Sequence, residues 1–133
     1  MSKITTHVVT TQAELDAALN NPEITVLDHE IVIRSPRSLW IVVKECYGKN
    51  VRACGDARVR ACESASVRAC EYATVWAYDS AVVRAWGSAT VRAWGDTNVR
   101  AWGGARVRAY DSALVWAYES ASVRAWDSAL VRA

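Results

Sequence analysis

The sequence predicts an all-β parallel solenoid, and three observations predict it. The chain repeats every eight residues, each repeat divides odd from even positions, and turn-forming residues return at one fixed place. From Val51 it reads VRACGDAR, VRACESAS, VRACEYAT, VWAYDSAV, VRAWGSAT, VRAWGDTN, VRAWGGAR, VRAYDSAL, VWAYESAS, VRAWDSAL and then VRA. Val opens every unit, Ala holds the third place, and Ala holds the seventh except at Thr97.

A period of eight drifts off a helix of 3.6 residues per turn, and no heptad appears. It suits a strand, whose side chains alternate with a period of two. Val, Ala and Ala then point to one face. Arg, the aromatic or Cys, and the variable residues point to the other. The fifth place carries Gly, Asp or Glu, and the pair it opens reads as a bend. Each octad is therefore a short strand and a bend, which cannot bury a face alone and must stack. Two octads make one flattened coil of sixteen residues, because Val and Ala could not fill the wide lumen of a three-octad coil. An antiparallel meander is disfavoured, because its hairpins lack Asn-Gly or Asp-Gly bends.

Two segments follow: a capping segment over 1–50 and the octad solenoid over 51–133. In the first, Lys3 to Val9 reads as a strand. Thr11 with Glu14 forms a capping box that opens a helix through Leu19, stopped by Asn20, Asn21 and Pro22. Ala13, Leu15, Ala18 and Leu19 give that helix its apolar side. Ile24 to Leu27, Ile31 to Ile33 and Leu39 to Val43 are strand-like. Val43 and Cys46 stand one octad before Val51 and Cys54, so the repeat phase is expected to begin there.

The strand, the helix "TQAELDAAL", then "ITV" and "IVI" resemble the N-terminal cap of right-handed parallel β-helices of the pectate-lyase-like type. The octads, such as WGSAT at Trp86 to Thr90, resemble the half-coils of bacterial ice-nucleation proteins and of similar repeats in bacterial and phage proteins. That resemblance implies a solenoid. It departs where ice-nucleation repeats present paired threonines, since Val, Ala and Arg stand in those places here.

Composition bounds the function. Hydrophobic residues make up 52% of 133 residues, too many for a disordered chain. Sixteen basic residues against fourteen acidic give a net charge of +2, too balanced for a duplex binder defined by charge. Met1 to Val9 has a Lys, then Thr and His, where a signal peptide would be apolar, and no run is long enough to insert in a membrane. The expectation is a protein kept in the cytoplasm or built into a particle such as a virion, with reduced cysteines.

Stacked coils turn each even place into a ladder with rungs about 4.8 Å apart. The fourth place gives Cys54, Cys70, Trp86, Trp102 and Tyr118 on one side, and Cys46, Cys62, Tyr78, Trp94, Tyr110 and Trp126 on the other. The second place gives Arg52, Arg68, Arg84, Arg100, Trp116 and Arg132, opposite Arg60, Trp76, Arg92, Arg108 and Arg124. Like charges this close need compensation. The aromatic two residues along the same strand can take an Arg over its ring, and Glu63, Glu71, Asp79, Asp111, Glu119 and Asp127 supply counter-charge at the bends. These rows either coat and stiffen the rod or form a contact surface, since Trp, Tyr and Arg dominate interface hot spots.

Self-association ranks first among partners, because identical ladders are self-complementary about a two-fold axis. The chain also stops three residues into an octad, so either Val131, Arg132 and Ala133 form a strand edge that a second chain pairs, or the sequence is a truncation of a longer array. A glycan or single-stranded nucleic acid gripped by the aromatic rows is the alternative, and ice ranks behind both. No enzyme is expected. His7 and His29 are the only histidines, with His29 read in a turn, and no nucleophile elbow, phosphate loop or HExxH motif occurs. No cofactor and no metal are assigned, since cysteines one octad apart do not match a zinc knuckle. Stacked Cys54 and Cys70 would come within disulfide reach, although a Cys alternating with Trp and Tyr is most simply a substitution.

Overall fold

The computed structural model describes residues 5–24, 29–36, 38–44 and 51–132. The first segment supplies β1 (Thr5–Val9), α1 (Gln12–Leu19), β2 (His29–Ile33) and β3 (Trp40–Val43). The octads supply β4 (Val51–Ala53), β5 (Arg58–Ala61), β6 (Ser66–Ala69), β7 (Thr74–Ala77), β8 (Val82–Ala85), β9 (Thr90–Ala93) and β10 (Asn98–Ala101). They continue with β11 (Arg106–Ala109), β12 (Leu114–Ala117), β13 (Ser122–Ala125) and β14 (Leu130–Arg132). All pairing is parallel. One sheet runs β1-β2-β4-β6-β8-β10-β12-β14 and the other β3-β5-β7-β9-β11-β13.

Two octads make one coil, as the pattern requires. Val67 pairs with Val83, and Val83 with Val99, always sixteen residues on. Alternate octads fall in opposite sheets because each bend turns the chain from one sheet into the other. Between the sheets lie Val and Ala, interrupted by Thr97, through the regular coils: Val75, Ala77, Ala81, Val83, Ala85 and Ala89 are fully buried. Such a thin interior brings the two backbones close, and it leaves no room for a larger side chain.

Strands β5 to β13 each span the eighth place through the third, so the fourth lies where the chain leaves the sheet. The fourth-place carbonyl then accepts a hydrogen bond from the seventh-place amide, as from Ala73 to Cys70 at 3.2 Å. Between them the fifth place has positive φ: 54° to 57° at Glu63, Glu71, Asp79, Asp111, Glu119 and Asp127, and 62° to 71° at Gly55, Gly87, Gly95 and Gly103. A positive first central residue followed by an ordinary one is the pattern of a type II′ turn, which explains the glycines. The acidic residues bear strain there of about 1 kcal/mol or more. Their compensation is a hydrogen bond to the turn above. Glu71 Oε2 accepts from the Gly55 amide at 2.7 Å, Asp79 Oδ2 from Glu63 at 3.1 Å, and Asp111 Oδ2 from Gly95 at 3.2 Å.

The first segment differs in detail from its sequence pattern. Thr5 pairs with His29, Ile31 with Val51, Trp40 with Arg58 and Arg52 with Arg68, so the coil shortens from 24 residues to 20, to 18 and then to 16. Val43 consequently pairs with Ala61, and Ile41 takes the place opposite Val59. The octad phase expected from Val43 is displaced by two residues. Seven residues separate Val43 from Val51, where five separate Ala53 from Val59. His29 opens β2 and does not sit in a turn; its Nδ1 lies 2.8 Å from Nε2 of His7. Ile24 is buried outside any strand, while Lys3, Ile4 and the residues from 25 to Leu27 lie outside the described residues, as does Cys46.

Helix α1 starts as expected. Thr11 Oγ1 accepts from the Glu14 amide at 3.2 Å, and Glu14 Oε1 reaches back to the amide and hydroxyl of Thr10 at 2.9 and 2.7 Å. Those hydrogen bonds from Thr10 hold the Glu14 carboxyl below its ordinary pKa. Leu15, Ala18 and Leu19 are buried, but Ala13 is exposed and contributes nothing to the apolar side.

Candidate interaction surface

The fourth-place side chains, leaving the sheets at the bends, line the two narrow corners of the flattened coil. Their rings stack on one another. On one corner Trp86, Trp102 and Tyr118 lie face to face, with centroids 5.1 and 5.2 Å apart and planes within 10°. On the other, Tyr78, Trp94, Tyr110 and Trp126 stack at 4.9, 5.3 and 4.8 Å, all at 8°. The spacing follows the strand repeat, and contacts of this kind contribute about 0.5–1.5 kcal/mol each. Within each run a ring face covers a ring face, while Tyr118 and Trp126 at the ends of the runs stay exposed.

The arginines also find partners other than those the pattern suggested. Expected over the aromatic two residues along the strand, they instead sit over tryptophans of neighbouring coils. Arg60 and Arg92 lie 5.6 and 5.3 Å from the Trp76 ring, and Arg132 lies 5.2 Å from Trp116. Trp40, which the octad phase does not reach, takes Arg58 and Arg60 at 5.6 and 5.1 Å and packs on Trp76 at 4.8 Å. Its signal was its place immediately before the apolar run of β3. The bend carboxylates serve chiefly to cap turn amides, and among the described residues only Glu71 of these approaches a guanidinium, that of Arg34, at 3.8 Å. The other ion pair among the described residues joins Arg52 Nε to Glu30 Oε1 at 2.6 Å.

Arg84 and Arg100 therefore stand in register on the larger sheet, and Arg92, Arg108 and Arg124 on the smaller. Gly104, Arg106, Arg108, Ser120, Ser122 and Arg124 line a shallow depression of about 560 Å³ on the smaller sheet. Tyr72, at a sixth place that the ladder reading passed over, is the most exposed large aromatic among the described residues, at 70%.

The two ends of the stack are unlike. At the first-segment end β3 is the outer strand of its sheet, and Gln12 of α1 pairs with it as another strand would. Gln12 Nε2 donates to the Val42 carbonyl at 2.9 Å, and the Val42 amide donates to Gln12 Oε1 at 2.7 Å. At the other end β13 and β14 are outer strands, and Trp126, Leu130 and Val131 are 41%, 51% and 38% exposed. Arg132 is exposed beside them, and Ala133 lies outside the described residues.

Burial, followed by the hydrogen bond and charge of Cys70, pushes the Cys54 thiol up to about 12. Burial also raises Cys62 above its ordinary value. Comparison with known proteins adds no identity: no family model, no curated protein and no solved structure matches the chain.

Proposed function

We propose that this chain is a non-enzymatic structural module, a stiff solenoid rod that joins a second copy, or a larger particle such as a virion or a cell-surface array, through its β13–β14 end. The observation that carries this reading is the difference between the two ends. Gln12 seals β3, one of the two outer strands at the first-segment end, whereas at the other end the outer strands β13 and β14 lie beside exposed Trp126, Leu130 and Val131. Strand edges of this kind pair with other strands unless something blocks them, and a two-fold axis would bury both copies' apolar residues at once. The stacked corners suit a structural role, because rings that cover one another add stiffness. The likeness of the octads to ice-nucleation-type half-coils belongs to this proposal and rests on their sixteen-residue coil and regular bend. The likeness of the first segment to a pectate-lyase-like cap rests on its strand, helix and strand.

The test is sedimentation of the chain beside two variants. Leu130→Lys with Val131→Lys should dissociate an end-to-end assembly, while Trp94→Ser with Trp126→Ser should dissociate a lateral one. Assembly unchanged by the lysine pair would contradict the end-to-end reading.

One further observation favours a second reading, binding of an acidic polymer. The smaller sheet presents Arg106, Arg108 and Arg124 beside Ser120 and Ser122. A glycan or single nucleic-acid strand would be held there by charge and hydroxyl contacts, since most of the ring faces are stacked within the chain. Retention on immobilised heparin that disappears in Arg108→Ser with Arg124→Ser would support it.

A further inference from the structure

Cys54 and Cys70 follow β4 and β6 directly, and they occupy neighbouring rungs of the corner that continues into Trp86 and Trp102. Their sulfurs lie 2.7 Å apart. The backbones beneath them are fixed by ladder bonds, with the Cys54 amide donating to Ile33 and the Cys70 amide to Ala53, both at 3.0 Å. Cys54 is 2% exposed and Cys70 is half-buried, so one residue of the pair is covered and its partner is partly accessible. The pair also spans a structural boundary. The coil that carries Cys54 pairs with β2 of the first segment, and the coil that carries Cys70 begins the sixteen-residue repeat. Later rungs of this corner are joined by ring stacking; this rung has only the two sulfurs.

We propose that Cys54 and Cys70 form a reversible dithiol–disulfide site, closed by a low-molecular-weight disulfide, which bolts the first segment to the repeat. Cys70, the accessible thiol, loses its proton to solvent and attacks one sulfur of the oxidant. The oxidant's S–S bond breaks, and the departing thiolate takes up a proton. With Cys70 capped, its charge and its hydrogen bond no longer oppose ionisation of Cys54, although burial still does. Cys54 then loses its proton and attacks Sγ of Cys70. The second small thiol leaves with the bonding electrons and is protonated. The two protein thiols are oxidised, and one small disulfide is reduced to two small thiols. The second step is the slow one, because Cys54 ionises reluctantly, and it quickens as pH rises.

The experiment treats the full chain with oxidised glutathione, blocks the remaining thiols and maps the tryptic peptides by mass. The expected major product joins the peptides carrying Cys54 and Cys70, and its yield at a fixed time rises with pH. Closing so short a loop should lower the opening constant on the order of a hundredfold and raise the melting temperature by roughly 10 °C. Both effects should be absent in Cys54→Ser, where glutathione should remain attached to Cys70, and present in Cys62→Ser. A major link through Cys46 or Cys62, or glutathione persisting on Cys70 of the unmodified chain at every pH, would overturn the proposal.

Discussion

Gln12 lays both ends of its carboxamide against Val42, donating to the carbonyl at 2.9 Å and accepting from the amide at 2.7 Å. A side chain thereby does the work of a missing strand at the edge of the smaller sheet. Removing it leaves two part-buried backbone groups without a partner, at about 1–3 kcal/mol. Gln12→Ala is expected to lower the urea midpoint accordingly. It should also increase self-association, because β3 becomes a further open edge. Gln12→Ala with an unchanged midpoint would show that α1 seals nothing.

The inward places admit only small residues. Ala85 is fully buried between the sheets, while Thr90 is partly exposed on the outer face. Ala85→Leu should therefore cost about 1–3 kcal/mol through overpacking, and Thr90→Leu should stay within about 0.5 kcal/mol. Thermal melts of the two variants check this. Equal midpoints would contradict the assignment of odd places to the interior.

Thr97 breaks the seventh-place alanine ladder, and its hydroxyl is fully buried with no hydrogen-bond partner. Val has the same shape without that hydroxyl. Thr97→Val should raise stability by about 1 kcal/mol, measured by urea unfolding. A loss of stability would mean that the hydroxyl is satisfied in solution.

Alkaline pH should weaken the fold through Cys54. Its thiol is raised from 9.0 to about 12 in the folded chain, by burial first and by Cys70 second. Above its ordinary value the unfolded chain holds fewer protons than the folded one, so stability falls as pH rises. The contribution is complete below about pH 9 and is lost on the approach to about pH 12. Under reducing conditions, melts of the unmodified chain and of Cys54→Ala should diverge across that window, with the unmodified chain losing more.

The solenoid and its coil length were legible because eight is an even number. A period of eight keeps Val and Ala on one face through every octad, and burial of that face fixes the register of Val67 against Val83. The ring contacts were harder to read. Trp86 and Trp102 fall on even places, as Arg84 does, yet the strand ends at Ala85, and the corner turns those rings onto one another. The positive φ at Glu63 and Asp79 was hidden because only glycine advertises it; the companion signal was an acidic residue sixteen positions after a Gly or another acid. Gln12 could not be found from sequence, since its partner Val42 is thirty residues away and outside the repeat phase.

Light scattering of the unmodified chain across micromolar concentrations tests the central claim most directly. The account predicts a mass at least twice that of one chain, falling toward a single chain on dilution. A single-chain mass at every concentration would contradict assembly through the β13–β14 end and shift the weight to the arginine-lined face.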